Sequence, residues 1–313
     1  MLDFNHILAT PNLDVQYFTG QSSATLTQWQ TWRKPRGVKN IYILGVGGGS
    51  SGAVGANAAA TNAGGSGGGS GGQTTVWLPA MFVPDTLYVQ CGAGGKQPAT
   101  LVSGAAQVGG VPTYVALEPS TTLTPNMTVL LANGGVAGAV TGGVVATLAG
   151  MPRAGGGLSN FFVGQSGTAG GAAGSGGGTA LTFPTPGLMV MGGTGGGGGG
   201  NPTGGAGGSI SAPTGVPIND FFLPLQTAGT GASGATPATN GAGGKIMINF
   251  LMNYGGLGGG GASNTAGGNA GDGGDGAPGS GGGGSGGSTT VAGANTLARP
   301  GNGGDGFVLI LSW

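Results

Sequence analysis

Charge is what this chain has least of. Eight Lys and Arg stand against eight Asp and Glu, together 5% of 313 residues, and the net charge is zero. A chain so balanced has no general electrostatic reason to hold nucleic acid or an anionic membrane. Cys91 is the one cysteine, so no disulfide can form within the chain. It lies in the run Leu87-Tyr88-Val89-Gln90-Cys91 and reads as a core residue. His6 is the one histidine, and no Cys/His cluster exists for zinc. The carboxylates are scattered, with only Asp272 and Asp275 close in sequence, whereas acid–base chemistry needs converging groups. No Gly-Lys-Ser/Thr phosphate loop is present, and the many G-x-G-x-x-G matches are what chance gives in so much glycine. The reading is therefore no enzyme, no cofactor and no metal. Long apolar runs are missing too. None approaches the roughly 18 residues of a transmembrane helix, and Met1–His6 lacks the features of a signal peptide. The expectation is assembly in a cytoplasm, with no membrane insertion.

What is there instead is glycine, 82 residues, set at intervals of three. Gly267, Gly273, Gly276, Gly279 and Gly282 hold one phase, and Gly268, Gly271, Gly274, Gly283 and Gly286 a second; Gly49, Gly52 and Gly55 repeat the spacing. A flexible linker needs no such register. Three residues per turn is the repeat of polyproline II, which has no internal hydrogen bonds, so bare glycine faces let backbones approach and bond to one another. Two glycine phases leave two such faces. The third phase, carrying Asn269, Asp272, Asp275, Pro278 and Ser285, is expected to point outward.

A disordered low-complexity tract is the alternative that composition alone favours. Scarce charge and 38% hydrophobic residues speak against it. Those residues cluster in β-branched and aromatic runs between glycine blocks, Val38–Leu44 and Phe307–Leu311 among them. Collagen is excluded, because the register keeps breaking and only 18 prolines are present. Gly267–Asp272 invites comparison with the calcium-binding nonapeptide repeat, but its fourth position is Ala270 and no nine-residue recurrence follows. The fold class that follows is mainly β with irregular structure and almost no helix. A glycine-rich bundle of packed polyproline II-like strands is joined to a small β region, with residues 267–286 ordered, extended and left-handed.

Residues 1–31 differ from the body. They have near-normal composition, and read as an attachment segment, with Phe4, Tyr17, Phe18 and Trp29, and Trp32 at the junction, as attachment candidates. Arg33, Lys34, Arg36 and Lys39 follow, beside two tryptophans. Such a mixture can contact nucleic acid, but a run this short reads as a solvated rim or as a dock for an acidic partner. The glycine-rich domain then covers 32–313, with a β-rich insertion expected around 96–163.

The two ends of that domain carry a resemblance. Trp32 with Pro35-Arg36-Gly37-Val38, an alternating strand and Gly47-Gly48-Gly49 are answered by Gly303-Gly304-Asp305-Gly306 and the apolar strand ending in Trp313. Between them stand Leu87–Gly95, Gly178–Phe183 and Met189–Gly193. In that order these segments resemble the glycine-rich domains of bacteriophage tail-fibre and receptor-recognising proteins, over roughly 32–313; residues 96–163 are longer than that pattern. The resemblance implies a virion component, a tail-fibre or tip adhesin whose glycine scaffold presents loops to the host surface. Its partners would be other virion proteins, through the N-terminal segment, and a host polysaccharide or outer-membrane protein.

Glycine-flanked aromatic insertions supply the candidates for receptor contact: Phe161 and Phe162, and Asn219, Asp220, Phe221, Phe222 and Leu223 between Pro217 and Pro224. The same aromatics read more readily as a small core between strands, and a third reading is contact between subunits of a homotrimer. A capsid decoration or baseplate or neck protein without receptor binding is the first alternative function. A cellular glycine-rich structural or ice-binding protein is the second.

Overall fold

The apolar runs between glycine blocks form strands, and the glycine blocks continue from the strand ends. The computed structural model describes residues 13–19, 28–55, 63–97, 100–120, 127–137, 158–162, 270–287 and 297–313, with short pieces at 181–182, 199–200, 203–204, 207, 210–211, 246–249 and 252–255. The strands are β1 (Asp14–Thr19), β2 (Gln30–Arg33), β3 (Asn40–Val46), β4 (Gln73–Pro79), β5 (Thr86–Gln90), β6 (Thr113–Ala116), β7 (Thr128–Ala132) and β8 (Leu158–Phe162). Six short ones follow: β9 (Leu181–Thr182), β10 (Gly199–Gly200), β11 (Thr203–Gly204), β12 (Ile210–Ser211), β13 (Ile246–Asn249) and β14 (Met252–Gly255); β15 (Phe307–Ser312) closes the chain. The protein is mainly β. Among the described residues there is no α-helix, only a 3₁₀ turn at Ala80–Phe82.

Two antiparallel sheets make the body. One has the order β1-β15-β3-β4-β8 and the other β2-β5-β6-β7. Alternation in β3 sends Ile41 and Ile43 to one side, where they meet Val76, Leu78, Val308 and Ile310 of the same sheet and Trp32, Leu87, Val89, Val115 and Leu130 of the other. Tyr42, Leu44 and Val46 take the opposite face with Phe307, Leu309 and Leu311. β15 is thus buried on both faces, which is why its sequence is an unbroken apolar run rather than an alternating one. Burying a side chain of this size contributes about 1.5–3 kcal/mol. Thr74 Oγ1 donates to Leu131 O across the two sheets at 2.8 Å. β6, β7 and β8 come from the 96–163 region: two complete the second sheet and β8 pairs with β4 at the edge of the first.

Beyond the strand ends lies a lattice of backbones. β3 runs into 47–55, β5 into 91–97 and β7 into 133–137, while 63–72, 105–111 and 297–306 lead into β4, β6 and β15. Residues 47–55 are its axis. Gly47, Ser50 and Ala53 donate to Gly72, Gly69 and Ser66; Gly48, Ser51 and Val54 donate to Val111, Val108 and Ala105; Gly49 and Gly52 donate to Gly304 and Gly301, all at 2.8–3.0 Å. Each successive residue therefore serves a different neighbour, and the pattern returns after three residues, the number per turn of a polyproline II strand. On the accepting side, Gly48, Gly49, Ser50 and Ala53 take the N–H groups of Gly135, Gly95, Gly282 and Ser285. Three neighbours reached by donation and three by acceptance enclose the axis. Residues 270–287 form two passes about a turn at Pro278 and Gly279, the glycine at φ 74°.

Glycine is required where these backbones approach most closely. A Cβ on Gly49, Gly52 or Gly55 would strike the carbonyl group of Ser280, Gly283 or Gly286 in turn. One expectation is corrected here. Ser285, placed by its phase on the outside, is fully buried, as are Ser50, Ser51, Ser66, Ser70 and Ser280. The lattice admits a hydroxymethyl group wherever its oxygen can replace a backbone partner: Ser285 Oγ accepts from Gly55 N at 2.9 Å, Ser51 Oγ from Val108 N at 2.9 Å and Ser50 Oγ from Gly69 N at 2.7 Å.

Candidate functional site

Two surfaces stand out, at opposite ends of the strands. The base is the end away from the lattice, where Ala80 N donates to Lys39 O, and Lys39 and Asn40 both donate to Trp313 O. After β4 ends at Pro79, Ala80-Met81-Phe82-Val83-Pro84 does not continue as strand, because the two prolines interrupt the backbone donors on either side. The turn between them leaves Met81 83% and Phe82 67% exposed. It is held from beneath. Lys34 Nζ donates to Val83 O at 2.7 Å and Ala80 O at 3.3 Å and pairs with Asp85 at 3.0 Å. An open cleft beside the turn is lined by Arg33, Arg36 and Val38 as well as by Met81. Arg33, Lys34, Arg36 and Lys39 are half of the chain's eight bases, so the base combines an apolar knob with a cationic surround. Two adjacent large apolar side chains in solvent make this turn a candidate contact surface.

The second surface is a groove of about 340 Å³ where β1 meets the lattice. Tyr17 forms one wall and its ring packs on that of Phe307, with centroids 5.5 Å apart and planes inclined by 38°. Asp275, Pro278, Asn302, Asp305 and Lys96 complete it. Its carboxylates are fixed: Asp275 Oδ1 accepts from Asn302 N, and Asp305 Oδ1 from Gly94 N, both at 2.7 Å. Asp272 does the same for Arg299 N at 2.6 Å. Each of these side chains satisfies a backbone donor of an adjoining lattice segment, and charged acceptors make the stronger class of such bonds.

The attachment candidates are dispersed. Phe4 lies outside the described residues. Trp32 is fully buried and Phe18 8% exposed, both within the core between the sheets; Trp29 is half-buried, and Tyr17, at 43%, is the most open of the four described. Asp14–Thr19 pairs along the whole of β15, so this part of the N-terminal segment is built into the sheet. Of the receptor candidates, Phe161 and Phe162 sit on β8, opposite Thr74 and Gln73 of β4. Asn219, Asp220, Phe221, Phe222 and Leu223 lie outside the described residues.

Cys91 packs behind Phe18 and its thiol points at Phe18 O, 3.4 Å away. Burial pushes that thiol up to about 12, against a smaller downward pull from a backbone hydrogen bond at Val308 and a further upward push from Asp305. It stays protonated, and a protonated thiol is a poor nucleophile. Burial also raises Tyr17, with a smaller push from Cys91, so its phenol remains neutral.

The Met81-Phe82 knob was not among the residues singled out by composition. The signal that marks it is the pair of prolines, Pro79 and Pro84, bracketing the apolar tetrapeptide Ala80-Met81-Phe82-Val83. Compared with known proteins, the chain matches no family model and no curated protein.

Proposed function

We propose that the chain is a bacteriophage virion structural protein, a tail-fibre or tip adhesin that holds recognition loops on a rigid, nearly uncharged scaffold. The observation that supports this most is the continuity of the β strands with a lattice bonded by its own backbones. Recognition residues work best on loops positioned by a rigid framework, and a lattice whose axis, residues 47–54, donates to a neighbour at every residue is such a framework. In this reading the lattice strands are polyproline II-like. The base, with Met81, Phe82 and the surrounding cations, docks with the N-terminal segment onto other virion proteins. The aromatic insertions, Asn219-Asp220-Phe221-Phe222-Leu223 foremost and Phe161-Phe162 next, contact a host polysaccharide or outer-membrane protein.

A decoration protein of the capsid, baseplate or neck would use the same base and lack the host contact. The experiment that separates the two is replacement of Phe221 and Phe222 by Ser in assembled particles. Adhesion predicts impaired adsorption to host cells at unchanged protein content, with the chain at a distal position by electron microscopy. Normal adsorption by fully loaded particles, or a position on the shell, rejects the adhesin.

A further inference from the structure

We propose that the groove between β1 and the lattice is a binding site for a neutral saccharide, seating one sugar ring against Tyr17 between the fixed carboxylates of Asp275 and Asp305. The inference does not depend on where the protein resides. It rests on four features of the groove. Its volume of about 340 Å³ falls at the lower end of small-ligand sites, which suits one or two sugar rings. Tyr17 offers a broad apolar face with a polar tip, the surface on which the C–H side of a pyranose packs. Contact with Phe307 sets that ring's inclination, so little ordering remains to be done on binding.

Hydrogen-bonding capacity is the third feature. Each carboxylate has two oxygens and about four acceptor sites, of which one oxygen on each is committed to a backbone N–H. Asp275 and Asp305 are therefore anchored acceptors for sugar hydroxyls, while Lys96 and the Asn302 side chain add donors. The floor is backbone alone at Gly303 and Gly304, so a ligand can approach the lattice without displacing side chains. Charge is the fourth. Two carboxylates against one ammonium leave the groove net negative, which disfavours sialic acids, uronic acids and phosphorylated sugars and selects a neutral ligand.

The test is saturation-transfer NMR on the purified full chain. The probes are methyl α-D-glucopyranoside, methyl β-D-galactopyranoside, methyl α-L-rhamnopyranoside and methyl N-acetyl-β-D-glucosaminide, with N-acetylneuraminic acid as the anionic comparison. At least one neutral glycoside should receive saturation at its ring C–H protons and the acid none. Tyr17→Ser should weaken the bound glycoside about tenfold or more, the scale of a lost aromatic stack, while Tyr17→Phe keeps most of the affinity. Should Tyr17→Ser fold poorly, the exposed Lys96→Met provides the second variant, expected to weaken binding about threefold. No saturation of any neutral glycoside overturns the proposal, as does a preference for the acid. So does binding that is indifferent to Tyr17→Ser and Lys96→Met, which would put the sugar elsewhere on the chain.

Discussion

The sandwich and the lattice are held together by opposite means. In the sandwich, large side chains fill the space between two sheets, with Trp32, Ile41, Ile43, Leu87, Leu130 and Ile310 fully buried. In the lattice few side chains larger than a serine or an alanine are enclosed, Val54 and Gln107 among them, and the cohesion comes from N–H···O bonds, which leave the 47–55 axis in three directions. The first is a matter of apolar area removed from water, the second of satisfying every donor and acceptor once water is gone. The strands run from one regime to the other without a break, β3 changing at Val46–Gly47 and β15 at Gly306–Phe307. Close packing therefore does not require large apolar side chains, provided the backbones have one another.

Breaking the sandwich should cost most. Trp32→Ala empties the largest fully buried site and is expected to destabilise by about 3–5 kcal/mol, measured as a fall in the denaturation midpoint. Trp32→Phe should cost much less, since the buried indole N–H it removes has no hydrogen-bond partner among the described residues. If Trp32→Ala proves harmless, the two sheets are not joined through this core.

The lattice responds to addition where the sandwich responds to removal. Gly52→Ala adds one methyl group against the Gly283 carbonyl and should cost about 1–3 kcal/mol through overpacking. Its sharper readout is hydrogen exchange. The amides of Gly49, Gly52, Gly282 and Gly301 should lose protection together, while those of β3 and β15 keep theirs. Protection lost equally in both regions would mean that sandwich and lattice unfold as a unit.

The smallest effect on stability belongs to the base. Met81→Ser with Phe82→Ser removes side chains that are already largely in solvent, so the change should stay within about 0.5 kcal/mol, while incorporation into particles should fall. Normal incorporation of the double variant would remove the base from the docking surface. A large stability loss would show that the turn supports the fold rather than a partner.

Much of this contrast was legible in the residues. The phase of Gly49, Gly52 and Gly55 marks the face along which 279–286 packs, and the runs Asn40–Val46 and Phe307–Ser312 became neighbouring strands. Cys91, read as core, is core. The serines were harder, because a hydroxyl in a three-residue repeat can face solvent or replace a backbone partner. Ser285 does the second, meeting Gly55 at a separation of 230 residues. Nor does composition reveal that Tyr17 and Phe18, adjacent in sequence, divide between an open groove and the core. Strand alternation sends them to opposite faces, and only the pairing of β1 with β15 decides what each face meets.

By itself, then, the sequence determined the two materials of this protein. Glycine every third residue dictates backbones that must bond to one another, β-branched and aromatic runs dictate sheets, and the shortage of charge leaves little to keep either apart. Tertiary structure decided the partners. Gly49 meets Gly304, Gly65 meets Ser285 and Asp305 caps Gly94, and a groove is assembled from β1, Lys96 and the segments 275–278 and 302–307. One glycine presents the same bare face as another, so a period can fix that a strand has neighbours but not which ones. That choice falls to the strands whose distinctive side chains lock the register from the sandwich outward.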